Sequence, residues 1–245
     1  MSSSEPAILA ENLAKSYRRT QAVVDVSLRV DTGETMGILG TNGAGKTTTV
    51  EMIAGLRGPD RGRVRVLGLD PRRDRARLRQ VLGVQLQDAY LHHNLRVTEL
   101  LDLYRSFYPA PGSTAELLDL VELTDQRRTI FEQLSGGQKQ RLSIALALAG
   151  RPRVVILDEL TTGLDPAARR RMWGTIEQLK ADGVTILLVS HAMEEVERLC
   201  DRVAVIDAGR ILALDTPTGL VARVGTESLD DAFVALTGKD LEVTA

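Results

Sequence analysis

Residues 35–56 read TMGILGTNGAGKTTTVEMIAGL. The segment opens on the apolar run Thr35–Leu39, bends through Gly40, Thr41, Asn42, Gly43, Ala44 and Gly45, and continues from Lys46, Thr47 and Thr48 into a helical pattern. It satisfies G-x-x-x-x-G-K-[ST] in full, between a strand and a helix, which is the context this motif requires. The glycines let successive backbone N–H groups wrap phosphate oxygens, while Lys46 reaches the outer phosphates and Thr47 offers its hydroxyl to Mg2+. The spacing predicts an open α/β fold, in which ligands bind beyond the carboxyl ends of parallel strands.

Outward from this loop, strands of two kinds follow. AVVDVSLRV alternates Val24, Val26, Leu28 and Val30 with Asp25, Ser27 and Arg29, and RVRVLG around Val64 and Val66 does the same. Such alternation marks half-exposed, antiparallel strands. VVIL at Val154–Leu157 and TILLV at Thr185–Val189 are unbroken apolar runs, as expected for strands buried on both faces of a parallel sheet. From about Thr98 to Gly150 the apolar spacing is helical, with Ser113 and Glu116 placed to form a capping box. RVAVID and RILALD flank Ala208–Gly209 as a hairpin, and one more amphipathic helix begins near Ser228. The expected architecture is a parallel α/β core, an N-terminal antiparallel β-subdomain packed beside it, and an inserted helical subdomain.

The buried run Val154–Leu157 ends in Asp158 and Glu159. Two carboxylates at the end of a buried strand need a partner, because unpaired charge there is costly. A bound Mg2+ supplies one for Asp158, and Glu159 is placed to orient or deprotonate an attacking water. His191 closes the strand Thr185–Val189 and would reach the same strand ends, where it can stabilise charge on a transferring phosphoryl group.

Composition bounds the alternatives. The 245 residues are 26% charged and 43% apolar, the balance of a folded domain. A net charge of −2 argues against a general nucleic-acid binder. Cys200 is the single cysteine, so no internal disulfide forms, and it reads as a small buried apolar residue. The basic run Arg72–Gln80 reads as a solvated helix face. No segment approaches the roughly 20 apolar residues needed to cross a bilayer, and a cleaved signal is not expected from MSSSEPAILAEN.

A second glycine-rich helix start lies further on, in QLSGGQKQRLSIALALAG from Gln133. The first N–H groups of a helix have no internal partners and sit at its positive end, so this too is an anion site. With it, the chain resembles the ATP-binding subunits of ABC transporters over nearly its whole length. Leu134, Ser135, Gly136, Gly137 and Gln138 are similar to that family's signature, TTGLD ending at Asp165 to its D-loop, and His191 to its switch histidine. Gln87, twelve residues before Glu99, resembles the Q-loop glutamine and is preferred to Gln85; Tyr17 resembles the aromatic residue that stacks on adenine. Thr41 and Leu160 stand where the family often has proline.

The resemblance implies ATP and Mg2+ as ligands, with Thr47, Gln87 and Asp158 around the metal and Glu159, His191 and Gln87 in catalysis. It implies an ATP-binding unit over residues 1–227, a helical subdomain at about 88–150, and a helical tail over 228–245. It further implies a head-to-tail dimer with a second ATP-binding subunit, the phosphate loop of one facing the signature of the other. A separate integral membrane permease would dock near Tyr90, His92 and His93, placing the chain on the inner face of the cell membrane. The tail ESLDDAFVALTGKDL resembles the ending of drug-resistance-type exporters. A soluble ABC ATPase of DNA repair or translation is the alternative, and a small-molecule kinase leaves the signature unexplained.

Overall fold

Unbroken apolar runs become the centre of the sheet. The computed structural model describes residues 5–86, 92–161 and 164–239. In chain order its strands are β1 (Ile8–Tyr17), β2 (Thr20–Val30), β3 (Thr35–Leu39), β4 (Arg61–Val66), β5 (Leu82–Gln85), β6 (Val154–Asp158), β7 (Thr185–Val189), β8 (Arg202–Asp207) and β9 (Arg210–Asp215). The helices are α1 (Lys46–Ile53), α2 (Arg75–Leu78), α3 (Val97–Arg105), α4 (Thr114–Leu120), α5 (Gly136–Leu148), α6 (Pro166–Ala181), α7 (Met193–Leu199), α8 (Pro217–Val224) and α9 (Leu229–Thr237).

The strand order is β4-β1-β2-β9-β8-β3-β7-β6-β5. From β8 to β5 neighbouring strands run parallel. β1 pairs antiparallel with β2 and β4, and β9 pairs antiparallel with β8. The antiparallel unit is joined to the parallel one by a single pairing, Asp25 with Arg210 on β2 and β9, so the two sheets expected side by side form one curled surface.

Every residue of β3, β6 and β7 is buried. Because side chains alternate along a strand, Val155, Leu157, Ile186 and Leu188 enter the core under α3–α9, whereas Val154, Ile156, Leu187 and Val189 enter the core shared with α1 and the antiparallel strands. On β2 the pattern is half-exposed, with Val26, Leu28 and Val30 buried. The hairpin at Ala208–Gly209 has both turn residues at positive φ, 44° and 72°, the geometry of a tight two-residue turn. Ser113 and Glu116 form the expected reciprocal capping box on α4.

The basic run yields only the four-residue α2, since Asp70 and Asp74 tie the preceding turn to backbone N–H groups. Among the described residues no helix is long and apolar enough to cross a membrane.

Candidate functional site: the carboxyl ends of β3, β7 and β6

These three strands are neighbours, and their register pairs Ile38 with Val189 and Val189 with Asp158. The three segments that follow therefore emerge together: the phosphate loop after Leu39, Ser190–His191 after Val189, and Glu159 after Asp158. The loop is shaped by close backbone approach. A Cβ on Gly40 would lie 2.4 Å from the Ile206 carbonyl oxygen. Gly45, at φ 102°, would place one 2.4 Å from the Ala22 carbonyl oxygen, so only glycine fits either position.

Lys46 is buried across the loop, its Nζ donating to the carbonyl oxygens of Gly40 (2.7 Å) and Thr41 (3.1 Å). Burial pulls its ammonium below the ordinary lysine range, against the opposing pull of Glu159 and Asp158. Thr47 and Asn42 are exposed, Thr41 and Thr48 half-buried, and Ala44 is packed inside. The loop thus presents its polar groups outward from an anchored base.

Asp158 is 3% exposed, and its carboxyl is pushed up to about 6, chiefly by burial and then by Glu159, while Lys46 draws it down. Its backbone N–H donates to the side-chain oxygen of buried Gln85 at 3.1 Å, and Gln85 in turn donates to the Leu86 carbonyl at 3.3 Å. Gln85 is therefore a brace for the strand end. Gln87, preferred for the metal and water, lies outside the described residues, as does Tyr90.

Glu159 is held at φ 51°, a left-handed conformation that is uncommon outside glycine and characteristic of functional turns. Its N–H donates to the Val189 carbonyl at 2.9 Å, and its own carbonyl accepts from Gln140 Nε2 at 3.4 Å. The result brings Glu159 Oε1 within 3.7 Å of His191 Nδ1, both side chains largely shielded from solvent.

Tyr17, at the end of β1, has the Arg57 guanidinium 5.0 Å from its ring centre and the Lys15 ammonium 6.0 Å away. Arg57 is held there by Glu51. The ring is thus in cation–π contact with two basic side chains.

The signature sits on α5. Ser135 is its N-cap, Oγ accepting from Gln138 N (3.2 Å) while Ser135 N donates to Gln138 Oε1 (2.9 Å), a second capping box. Leu134 is buried, Ser135 and Gly136 are exposed, and a Cβ on Gly136 would meet nothing within 4 Å. At Gly137 a Cβ would lie 3.0 Å from Leu164 Cδ2, so the start of α5 touches the segment that leads to Asp165. Asp165 caps α6, accepting from Ala167 N and Ala168 N, and these bonds hold its carboxyl below the usual range. His92 and His93 are exposed, with the His93 ring edge-on to Phe131 at 5.9 Å.

The bracing roles of Gln85 and Gln140 had no signal in local pattern, because their partners are 73 and 19 residues away. Glu195 did carry one. It shares the buried face of α7 with Val196 and Leu199, a helical spacing normally apolar.

A parallel sheet, a wrapped phosphate loop and a carboxylate pair beyond the adjacent strand define a phosphate-loop ATPase. Residues 23–162 match the family described as ABC transporter. The linearmycin resistance ATP-binding protein LnrL of Bacillus subtilis (strain 168) is 38% identical over 225 residues, covering 90% of this chain and 72% of that protein. The Nod factor export ATP-binding protein I of Burkholderia orbicola (strain AU 1054) is 41% identical over 226 residues, covering 89% and 74%. A dimeric post-hydrolysis structure of the ATP-binding cassette MJ0796 with ADP and Pi superposes with a TM-score of 0.79 at 26% identity, over 85% of this chain and 98% of that one. The chain belongs to the ABC transporter family and is an ATPase of that family.

Proposed function

We propose that this chain is the ATP-hydrolysing subunit of a membrane exporter of small molecules, working as a head-to-tail dimer with ATP sandwiched between two copies. The observation that carries the reading is the open start of α5. Ser135 and Gly136 face outward with room around them, while Lys46, Asp158, Glu159 and His191 converge on a separate set of strand ends. An exposed helix start suits a γ-phosphate brought by another molecule. The dimeric MJ0796 cassette supports such a pairing, and the resistance and export names of the relatives support the direction of transport.

In this reading Tyr17 stacks on adenine, and Gly40–Thr48 bind the phosphates. Leu134–Gln138 complete the partner's site, and Asp165 fixes the start of α6 beside them. The residues fit Mg2+: Asp158 and Thr47 offer hard oxygen donors, Gln87 would join them, and a cation relieves the burial that disfavours the Asp158 carboxylate. When bound, Mg2+ neutralises charge between the β- and γ-phosphates. Glu159 takes a proton from the attacking water, and His191 holds the γ-phosphate side of the site. A separate membrane permease, docking near Tyr90, His92 and His93, receives the dimer's opening and closing at the inner face of the membrane. The ATP-binding unit spans 1–227 and the tail 228–245, in which α9 packs through buried Leu229 and Phe233.

Glu159→Gln tests the assigned base. It should lower kcat by about 100- to 10,000-fold while ATP converts the protein to a dimer stable in size-exclusion chromatography. Normal hydrolysis with no ATP-dependent dimer would remove Glu159 from the role.

A further inference from the structure

Glu195 is 0% exposed, in the first turn of α7, and is not among the groups assigned to the chemistry. A buried carboxyl is costly unless its oxygens are satisfied, and here several donors converge on it. Ser190 Oγ donates to Oε2 at 2.6 Å and Trp173 Nε1 to Oε1 at 3.3 Å. The nearby Thr161 side chain also favours its ionised form. Ser190 Oγ also accepts from Ala192 N at 3.0 Å, which closes a tight turn around the residue between them, His191. Thr161 stands two residues after Glu159, and Trp173 lies on α6. One carboxyl therefore ties the turn bearing His191 to α6, near Thr161 on the turn leaving Glu159.

We propose that Glu195 is a positioning residue of the hydrolytic site, setting the His191 turn against the Glu159 turn so that the two side chains meet. The proposal rests on the reading of His191 as a contact of the γ-phosphate. The geometry favours this over a purely structural role. Both hydrogen bonds are buried, and the shorter is to the residue immediately before His191. Burial raises the Glu195 carboxyl above the usual range, and Ser190, Thr161, Trp173 and His191 oppose that rise. The group is held in place by its donors rather than by solvent.

Glu195→Gln keeps the volume but turns one acceptor oxygen into a donor facing Ser190 or Trp173. In the full-length protein, kcat for ATP should fall about ten- to a hundredfold, with ATP affinity within about twofold and Tm lowered by only a few degrees. The decisive comparison is a double-mutant cycle with His191→Ala. If Glu195 acts through His191, Glu195→Gln costs little further kcat once His191 is gone. An equal loss in both backgrounds would overturn the proposal, as would wild-type kcat in Glu195→Gln while His191→Ala is crippled. Wild-type kcat in His191→Ala would overturn the reading of His191 and this proposal with it. Ser190→Ala removes the shortest donor with a smaller packing change and should repeat the pattern against His191→Ala if Glu195→Gln does not fold.

Discussion

Asp158 shows what the site costs the fold. Its carboxyl titrates at about 6 in the folded protein and near 3.8 when solvated, so ionising it in place is unfavourable. At about 1.4 kcal/mol per pH unit between those values, the penalty is at most ~3 kcal/mol. The folded chain holds the proton more tightly, so stability falls as pH rises from about 4 through about 6, and the full penalty is present above that range. Asp158→Asn should therefore raise Tm by about 3 to 8 °C at pH 8 in EDTA, and by little at pH 4, while abolishing hydrolysis. Thermal melts at the two pH values check it, and an unchanged or lower Tm at pH 8 would contradict the assigned burial penalty. That Asp158 ends a buried strand is legible in VVILDEL, because apolar runs and terminal carboxylates are local patterns. That Gln85 braces its N–H is not, because nothing near Gln85 in the chain announces a partner on β6.

Helix α5 carries two duties on one residue, and they can be separated. Ser135 caps the helix and, in the proposed dimer, faces the partner's γ-phosphate. Aspartate is as good an N-cap as serine and suits the positive helix end, but its charge would oppose a phosphate. Ser135→Asp in a Glu159→Gln background should keep Tm within about 2 °C and lose the ATP-dependent dimer by light scattering. A persistent dimer would place the phosphate elsewhere. Element by element, legibility follows the same division. Strands β2–β4 and β6–β9, the α4 capping box and the β8–β9 hairpin were readable because period, cap and turn residues coincide, whereas β1 and β5 were not read as strands. The helix α8 was unread although Thr216 caps it, Pro217 opens it and Gly225 closes it in a left-handed conformation. Its caps were complete, but Leu220 is its one buried residue, too little for an apolar period to stand out. The joining of the two sheets through Asp25 and Arg210 depends on one pairing between strands far apart in the chain, which no local pattern encodes.

In the proposed head-to-tail dimer each chain holds two incomplete halves of an ATP site, and symmetry dictates what two copies can do. In a two-fold dimer the same pair of surfaces meets twice, giving two composite sites. ATP that binds the closed pair better than the separate chains shifts the population toward it, and hydrolysis releases it. Lys46→Ala breaks the phosphate loop of its own chain, and Ser135→Arg breaks only the site completed for a partner. Alone, each variant can pair only with itself, which leaves both sites broken. In a heterodimer of the two, the intact loop of one meets the intact signature of the other, while the remaining site carries both lesions. Random mixing makes half the dimers hetero, so an equimolar mixture should regain about a quarter of the wild-type sites. Single-turnover hydrolysis measures this directly. If Lys46 and Ser135 served the same chain, mixing would restore nothing, and if each chain's site were independent of the signature, Ser135→Arg alone would already be active. Only the crossed arrangement predicts two silent variants that recover activity together.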